Sequence, residues 1–350
     1  MAVKWGVIGC GGIADRRTIP EGLLPSAEAE LVAVQDVDQA RAQAVGKKYG
    51  IAKVSTHEQD IVDDPEVEAV YIATPTYLHH EHVIMAARAG KHVLCEKPLA
   101  LTVALAEQAA EACADAGVKL GVNFMMRFHS CHQWLRAAIA EGRMGKPVLG
   151  KAELTCWYPP IPGAFRQDPE LGGGGALIDM GNHCLDLIEF LFDQRIARVS
   201  CFTGNLVQDY RSEDTAGVLV ELDSGALGLI NALFNVPDAA AQNMLMLYGS
   251  RGGAWTFGTI GQDSIGQIHA IFEGEEKGYD AAQVRSEGPS EQVITPAVDN
   301  IYRAHIDAFC RAVASGQEPP IGPELGIWSQ RVITACYESA RTGRAIDLLS

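Results

Sequence analysis

The sequence lacks three features that would each point to a particular class of protein. Basic residues are scarce, since 28 Lys and Arg stand against 44 Asp and Glu, for a formal net charge of −16. Such a chain repels phosphate backbones and anionic lipid, which argues against nucleic acid or a membrane as partner. No apolar run approaches the roughly 18 residues that span a bilayer. The nine cysteines form no C-x-x-C pair, which predicts reduced thiols in a cytoplasmic protein.

The chain, at 350 residues, is too long for one ordinary hydrophobic core. Its first part has a secondary-structure pattern of its own. Short apolar runs alternate with helical patterns, for which Asp38 and Thr102 are candidate caps and Gly50 and Gly117 candidate stops. The predicted strands are Lys4–Ile8, Leu31–Gln35, Val67–Ala73, His92–Cys95 and Lys119–Val122. Repeated strand–helix–strand units predict an α/β domain over residues 1–124, with a doubly wound parallel sheet.

The second part, residues 125–350, contains strand-like runs that follow one another without helices between them. These runs are Val148–Trp157, Arg198–Asn205, Thr215–Leu222, Ala226–Phe234 and Asn243–Tyr248. Successive strands of this kind predict an α+β domain with a large open, mainly antiparallel sheet. Four helices are expected around it, at His129–Glu141, Ala176–Leu191, Ile301–Ala314 and Leu325–Ala340.

A glycine-rich sequence follows the first strand. The segment Gly9–Ala14 reads G-x-G-x-x-A at a strand-to-helix junction, a pattern that lets backbone and a helix N-terminus approach a pyrophosphate. Alone, these glycines could equally form a plain tight turn. The second strand, however, ends in Asp36, where an acid binds the ribose 2′-hydroxyl of NAD, whereas Asp38 is better explained as a helix cap. A carboxylate there repels a 2′-phosphate, so we predict a preference for NAD over NADP.

Polar residues also follow the next two strands. Glu96-Lys97-Pro98 comes directly after His92–Cys95, at the sheet edge where ligands bind in doubly wound folds. Lys97 could there stabilise an alkoxide as a hydride leaves, or be a solvated lysine in a surface turn. The segment Thr74–His79 lies at the equivalent edge of the preceding strand, and it could line the nicotinamide ribose or be an ordinary loop.

The helix predicted from Ala176 carries Asp179, His183 and Asp186. Their spacings of four and three residues place all three on one helical face, beside a separate apolar stripe. His183 could act as a general base with Asp179 as its partner. The alternative is a solvated face with a surface histidine.

Taken together, these segments resemble the Gfo/Idh/MocA family of sugar and polyol oxidoreductases over essentially the whole chain. The segments that carry the resemblance are Gly9–Ala14, Thr74–His79, Glu96-Lys97-Pro98, Gly174–His183 and Tyr337–Gly343. The resemblance implies an N-terminal Rossmann domain followed by a domain whose exposed sheet face pairs subunits into a homodimer or homotetramer.

The resemblance also implies roles for individual residues. Lys97 would be the catalytic lysine, His183 the acid–base, and Asp179 its partner or a substrate ligand. The predicted cofactor-binding residues are Gly9, Gly11, Gly12, Ile13, Asp36, Thr74, Pro75, His79, Glu96, Lys97 and Asn123. The predicted substrate-binding residues are Lys97, Arg127, Trp157, Tyr158, Arg166, Asp179 and His183. Arg127 and Arg166 could instead be salt-bridged structural residues.

The predicted activity is hydride transfer between NAD(H) and a secondary hydroxyl or ketone of a sugar, polyol or sugar derivative. Three alternatives stay open: glycoside cleavage through transient oxidation, dihydrodiol dehydrogenation, and a non-enzymatic regulator that senses NAD(P). The intact Lys97, Asp179 and His183 argue against the regulator. No metal is expected, because the histidine clusters at 79–82 and 129–132 lack the spacing of a known zinc site.

Overall fold

The computed structural model describes residues 2–273, 281 and 289–349. By their contacts, the residues divide into two compact units. The first comprises Met1–Met125, Pro162–Gly175 and Asn300–Thr334, and the second Met126–Ile161, Ala176–Asp299 and Ala335–Ser350. Two later segments therefore group with the N-terminal part. The division into domains at residues 1–124 and 125–350 stays a prediction.

The strands of the described residues form two sheets. In chain order they are β1 (Val3–Ile8), β2 (Ala29–Gln35), β3 (Lys53–Ser55), β4 (Ala69–Ile72), β5 (His92–Cys95), β6 (Leu120–Val122), β7 (Pro147–Thr155), β8 (Ile196–Gly204), β9 (Thr215–Leu222), β10 (Leu227–Leu233), β11 (Met244–Gly249), β12 (Gly252–Phe257), β13 (Ile268–Phe272), β14 (Gln292–Ile294) and β15 (Ile346–Asp347).

Helices make up most of the remaining regular structure. The α-helices are α1 (Gln39–Tyr49), α2 (Glu58–Val62), α3 (His79–Arg88), α4 (Val103–Asp115), α5 (Ser130–Ala140), α6 (Pro169–Gly172), α7 (Asn182–Phe192), α8 (Ile301–Ser315) and α9 (Pro323–Thr342). Two segments are π-helical, Ala14–Leu23 and Leu177–Gly181. Short 3₁₀ turns lie at Thr76–Leu78, Met125–Phe128, Phe165–Gln167 and Asp238–Ala240. None of the described helices is both long enough and apolar enough to cross a membrane.

The sheet of the first unit has the order β3-β2-β1-β4-β5-β6 and is parallel throughout. This is the order of a dinucleotide-binding Rossmann fold, so the predicted doubly wound sheet is confirmed. The predicted caps are also confirmed: Asp38 accepts from the Ala40 amide at 3.0 Å and Thr102 from the Leu105 amide at 3.2 Å. Strand β3 was not predicted, because its three residues are exposed or half-buried and form no apolar run.

The second unit contains a nine-stranded sheet of order β14-β13-β12-β11-β7-β10-β9-β8-β15. All its pairs are antiparallel except β7 with β10, which confirms the predicted mainly antiparallel sheet. Gly225, in the turn after β9, has φ +84°, and Gly252, which begins β12 after the turn that follows β11, has φ +155°. Strands β12, β13 and β14 extend one side of the sheet and had not been predicted; β15, at the opposite edge, had not been predicted either.

Helix α7 covers one face of this second sheet. All eleven of its residues are buried, and a Cβ added at Gly150 in β7 would lie 2.6 Å from the Ile188 side chain, so helix and strand lie very close together. The alternative of a solvated helical face is therefore wrong for this segment. The first turn is also different from the prediction, because the Asn182 amide donates to the carbonyl of Leu177, five residues back. The α-helical spacing assumed for Asp179 and His183 is thus replaced by π-helical spacing.

Candidate active site

The glycine loop joins β1 to the π-helix Ala14–Leu23 in the first unit. Gly9 has φ +82°, and a Cβ there would lie 2.9 Å from the backbone of Ala73, so only glycine fits. Gly12 has φ +50°, but a Cβ there would meet nothing within 4 Å. Ala14 is completely buried where the helix begins. The loop is therefore packed against the sheet at Gly9 and open at Gly12, which fits the approach of a pyrophosphate.

Asp36 closes this loop from the end of β2. Its carboxylate accepts from the Gly11 amide at 3.2 Å and from the Asp38 amide at 3.0 Å. The guanidinium of Arg41, on the first turn of α1, also donates to it at 3.1 Å. Asp36 is buried, whereas the Arg41 side chain is about half exposed. The acid predicted to bind a ribose thus already has a half-exposed cation as its neighbour.

His79 makes contacts that the sequence did not predict. Its Nδ1 lies 2.7 Å from the carbonyl of Pro98 and its Nε2 lies 2.8 Å from the carbonyl of Thr74. Burial lowers the pKa of His79 to about 4, more than the two carbonyls raise it, so the neutral ring donates its single N–H proton to one carbonyl at a time. His79 therefore links the segment after β4 to the residue that follows Lys97. Both ring nitrogens face these backbone carbonyls.

Glu96 and Asn123 meet in a buried network at the ends of β5 and β6. The Asn123 amide donates to Glu96 at 2.6 Å, and the hydroxyl of Tyr71 on β4 donates to the same oxygen, Oε1. Thr18 donates to the Tyr71 hydroxyl at 2.9 Å, and His305 contacts Asn123 Oδ1 at 2.8 Å. Burial and the nearby Glu96 raise the pKa of Tyr71 well above its usual value. The network holds the residue that immediately precedes Lys97.

Lys97 itself follows β5 and is half-buried. It precedes Pro98 through a cis peptide bond. The glycine loop, Asp36, Thr74, Glu96, Lys97 and Asn123 all follow the carboxyl ends of parallel strands. The structure therefore gathers these predicted cofactor-binding residues at one edge of the first sheet.

The second unit holds Asp179 and His183. Asp179 is half-buried in the π-helical turn Leu177–Gly181, and His183 is buried in the first turn of α7. The two segments form one continuous helix, because Asn182 at their junction has helical backbone angles. A Cβ added at Gly181 would lie 2.9 Å from the Leu177 side chain, so this turn is tightly packed.

Asp186, the third residue of the predicted polar stripe, pairs with Arg127. The Arg127 Nη2 lies 2.6 Å from one oxygen of Asp186 and its Nε lies 2.9 Å from the other. Although desolvation acts in the opposite direction, Asp186 holds the pKa of Arg127 above its usual value. The Arg127 guanidinium also lies 5.0 Å from the centre of the Phe190 ring. This geometry favours the structural alternative for Arg127, and its substrate-binding role stays a prediction.

The other predicted substrate residues lie on loops. Trp157 is exposed and its amide donates to Asp238 at 2.8 Å. The Tyr158 ring lies 4.8 Å from that of Phe234, and its carbonyl accepts from the Tyr210 hydroxyl at 3.1 Å. Arg166 belongs to the first unit, where its guanidinium lies 4.5 Å from the Phe165 ring.

Comparison with known proteins identifies the family. Residues 3–124 match the Gfo/Idh/MocA oxidoreductase family with its NAD-binding Rossmann fold, and residues 132–255 match the Gfo/Idh/MocA C-terminal domain. The chain belongs to this family. It is therefore an oxidoreductase with an NAD-binding Rossmann fold, which confirms the resemblance and the prediction of an enzyme.

Relatives in this family match the chain over nearly its full length. The 1,5-anhydro-D-fructose reductase of Ensifer adhaerens is 30% identical, over 99% of this chain and 98% of the relative. The D-xylose 1-dehydrogenase (NADP(+)) 2 of Haloferax volcanii is also 30% identical, over 99% and 100%. Among solved structures, the aldose-aldose oxidoreductase from Caulobacter crescentus complexed with glycerol has a TM-score of 0.88 at 26% identity, covering 99% of this chain and 100% of that one.

Several residues with clear structural roles around the candidate site were not predicted from the sequence. Tyr71 and Thr18 lie within apolar or helical patterns, and His305 lies far along the chain, so nothing local marks their shared network. Glu213, which accepts from the Leu177 amide, and Asp214, which accepts from the Leu206 amide, carried one available signal, since two acids directly precede a predicted strand.

Replacing Arg127 by Ala should destabilise the protein, because it leaves the buried Asp186 carboxylate without its cation. We expect a loss of about 3–5 kcal/mol in the free energy of unfolding, measured by urea titration. Arg136→Ala is the matched control: Arg136 lies 4.7 Å from the same Phe190 ring but pairs with exposed Asp193, so its loss should be below about 1 kcal/mol. Equal stability of the two variants, with KM raised only in Arg127→Ala, would favour the substrate-binding role instead.

Proposed function

We propose that this enzyme transfers a hydride between NAD(H) and a secondary hydroxyl or ketone of a sugar, polyol or sugar derivative. The observation that carries the proposal is the edge of the first sheet, where the glycine loop and Asp36 share one line of strand ends with Lys97. The names of the relatives, a reductase of 1,5-anhydro-D-fructose and a dehydrogenase of D-xylose, support this substrate class. A cytoplasmic location remains a prediction.

Lys97 is proposed as the residue that stabilises negative charge on the substrate oxygen. When bound, NAD would supply the hydride acceptor. The substrate oxygen becomes alkoxide-like as its hydroxyl proton is removed, and in the reduction direction the same charge appears on it as hydride adds to the carbonyl carbon. An ammonium group donates to that oxygen and lowers the barrier. The proposal is supported by the hydrogen bonds that hold the residues on either side of the lysine. Glu96 is held by Tyr71 and Asn123, and Pro98 is held by His79. A lysine between two anchored residues has a restricted set of positions.

His183 is proposed as the acid–base residue, with Asp179 as its partner or a substrate ligand. In the oxidation direction the His183 imidazole takes the hydroxyl proton, and in reduction it returns that proton to the alkoxide oxygen. The packing of α7 supports this role, because a helix buried on every side holds its side chains in place. Trp157, Tyr158 and Arg166, together with Arg127, are proposed to contact the substrate.

We propose that the cofactor is held by Gly9, Gly11, Gly12, Ile13, Asp36, Thr74, Pro75, Glu96 and Asn123, and that Asp36 favours NAD over NADP. Asp36 can accept from a ribose 2′-hydroxyl and repels a 2′-phosphate. The contact of Arg41 with Asp36 refines this view, because the cation partly offsets that repulsion. For His79, the geometry supports a role in holding the Lys97–Pro98 turn rather than direct contact with the cofactor.

The exposed face of the second sheet is proposed to pair subunits into a homodimer or homotetramer. Leu219, Leu229, Met246 and Trp255 lie on neighbouring strands in one cross-strand row, broken only by Lys151. Leu219 and Leu229 are 45% and 37% exposed. Exposed apolar surface of this kind is typical of a protein–protein contact.

The activity test is NADH formation across a panel of polyols, aldoses, sugar acids and glycosides. Lys97→Ala should lower kcat by about 10²–10³-fold with an unchanged Kd for NADH, because only the charge on the reacting oxygen is affected. His183→Ala should lower kcat by about 10²–10⁴-fold. Lys47→Ala, on the exposed side of α1, is the matched control. Near-normal turnover in Lys97→Ala would contradict the assignment, and cleavage of a glycoside without lasting NADH absorbance would indicate transient oxidation.

Asp36→Ala should shift the cofactor preference toward NADP. Removing the carboxylate abolishes its contact with the ribose of NAD and frees Arg41 for a 2′-phosphate, so we expect the ratio of kcat/KM for NAD over NADP to fall at least about tenfold. Arg41→Ala in the same background should abolish the gain with NADP. Asp38→Ser removes a neighbouring acid while keeping a good helix cap, and should leave the ratio unchanged. An unaltered ratio in Asp36→Ala would refute the assignment.

Light scattering of the purified protein tests the subunit pairing. We expect a dimer or tetramer at micromolar concentration, and Leu229→Asp should dissociate it by placing a negative charge beside Leu219 in the apolar row. Val298→Asp, at a more exposed apolar position outside that row, should have no effect. A monomeric parent protein would contradict the proposal.

A further inference from the structure

The loop between β8 and β9 holds the start of the helix that carries Asp179 and His183. Glu213, near the end of this loop, makes two contacts with the first residues of that helix. Its backbone carbonyl accepts from the Ala176 amide at 3.0 Å, and its Oε1 accepts from the Leu177 amide at 3.0 Å. Both amides belong to the free donors that every helix N-terminus presents. One residue therefore satisfies two successive donors.

The same carboxylate oxygen has a further partner. The hydroxyl of Tyr337, on α9, donates to Glu213 Oε1 at 2.8 Å. Tyr337 and the first turn of the helix belong to the second unit, as does Glu213. Glu213 thus joins three separate parts of that unit: the loop before β9, the helix start and α9.

Asp214 makes the loop itself rigid. Its carboxylate accepts from the amides of Leu206, Val207 and Gln208 at 2.9, 2.8 and 2.7 Å. Desolvation opposes ionisation of this buried acid, but these donors hold the pKa of Asp214 below its usual value. Its backbone carbonyl also accepts from Phe234 at 2.8 Å. The Glu213 side chain therefore extends from a loop that is itself held by hydrogen bonds. Its contacts can fix the start of the helix relative to that loop.

We propose that Glu213 is a positioning residue, which fixes the axial position and the rotation of the helix that carries Asp179 and His183. Asp179 lies two residues beyond Leu177, and His183 lies within the next turn. At the start of the π-helical turn, which contains Asp179, the side-chain contact to the Leu177 amide comes from Glu213 in the described part of the chain. Displacements of about 1 Å at a catalytic group can cost about 10²-fold in rate. This inference rests on the proposed roles of Asp179 and His183.

Three variants separate geometry from charge. Glu213→Ala removes the side-chain contacts, and should lower kcat about 10–100-fold with KM changed less and the Kd for NADH unchanged. Glu213→Gln keeps an oxygen acceptor for Leu177 and Tyr337, and should restore kcat to within about threefold with an unaltered pH profile. Tyr337→Phe leaves the helix contacts and removes one partner, so we expect a smaller loss in the same direction. Glu221→Ala, an exposed glutamate on β9, is the matched control.

Hydrogen exchange gives a readout that does not need substrate. In Glu213→Ala the peptide covering residues 176–184 should exchange faster, while peptides of the first sheet should not change. Normal exchange and normal turnover in Glu213→Ala, alongside an inactive His183→Ala, would overturn this inference alone. Normal turnover in His183→Ala would instead overturn the proposed function. An equal loss of kcat in the Gln and Ala variants would also refute positioning, because it would assign the effect to charge.

Discussion

The pairing of β1 with both β2 and β4 is the constraint on which the first unit depends. Ile8, the last residue of β1, lies opposite Gln35 and Ile72 in the two neighbouring strands. The three strands therefore end at the same level of the sheet. Gly9 then turns between them, with its amide donating to the Gln35 carbonyl at 3.0 Å. A side chain at Gly9 would collide with the backbone after β4. Glycine is thus required at this position by the packing of the sheet, independently of any cofactor.

The two units hold their candidate functional residues by different means. In the first, parallel strands deliver Asp36, Glu96 and Lys97 to one edge, and side chains such as His79 link neighbouring strand ends. In the second, the residues lie on a helix buried against an antiparallel sheet. The start of that helix is held by the loop before β9, where Glu213 accepts from two successive amides.

Local patterns predicted much of this structure. Five of the six strands of the first sheet, the cap at Asp38 and the place of Lys97 at a strand end follow from local periodicity and capping patterns. The edge strands β3 and β15 have three and two residues, none of them fully buried, so they form no apolar run. The ion pair of Arg127 with Asp186 and the contacts of His79 join residues distant in sequence, so no local signal marks them. The π-helical turn was invisible because apolar spacing cannot distinguish i+4 from i+5 over five residues.

The hydrogen bonds of the network around Glu96 have one consistent donor-to-acceptor direction. Thr18 donates to Tyr71 and Tyr71 to Glu96, while from the other side Asn123 donates its amide protons to the same carboxylate. The amide oxygen of Asn123 must then accept, which assigns the proton of His305 to Nδ1. Burial lowers the pKa of His305 to about 3, so this ring stays in one neutral tautomer. Because each proton of this network has a single position, the network has one hydrogen-bonding arrangement. The backbone before Lys97 is accordingly held in one conformation.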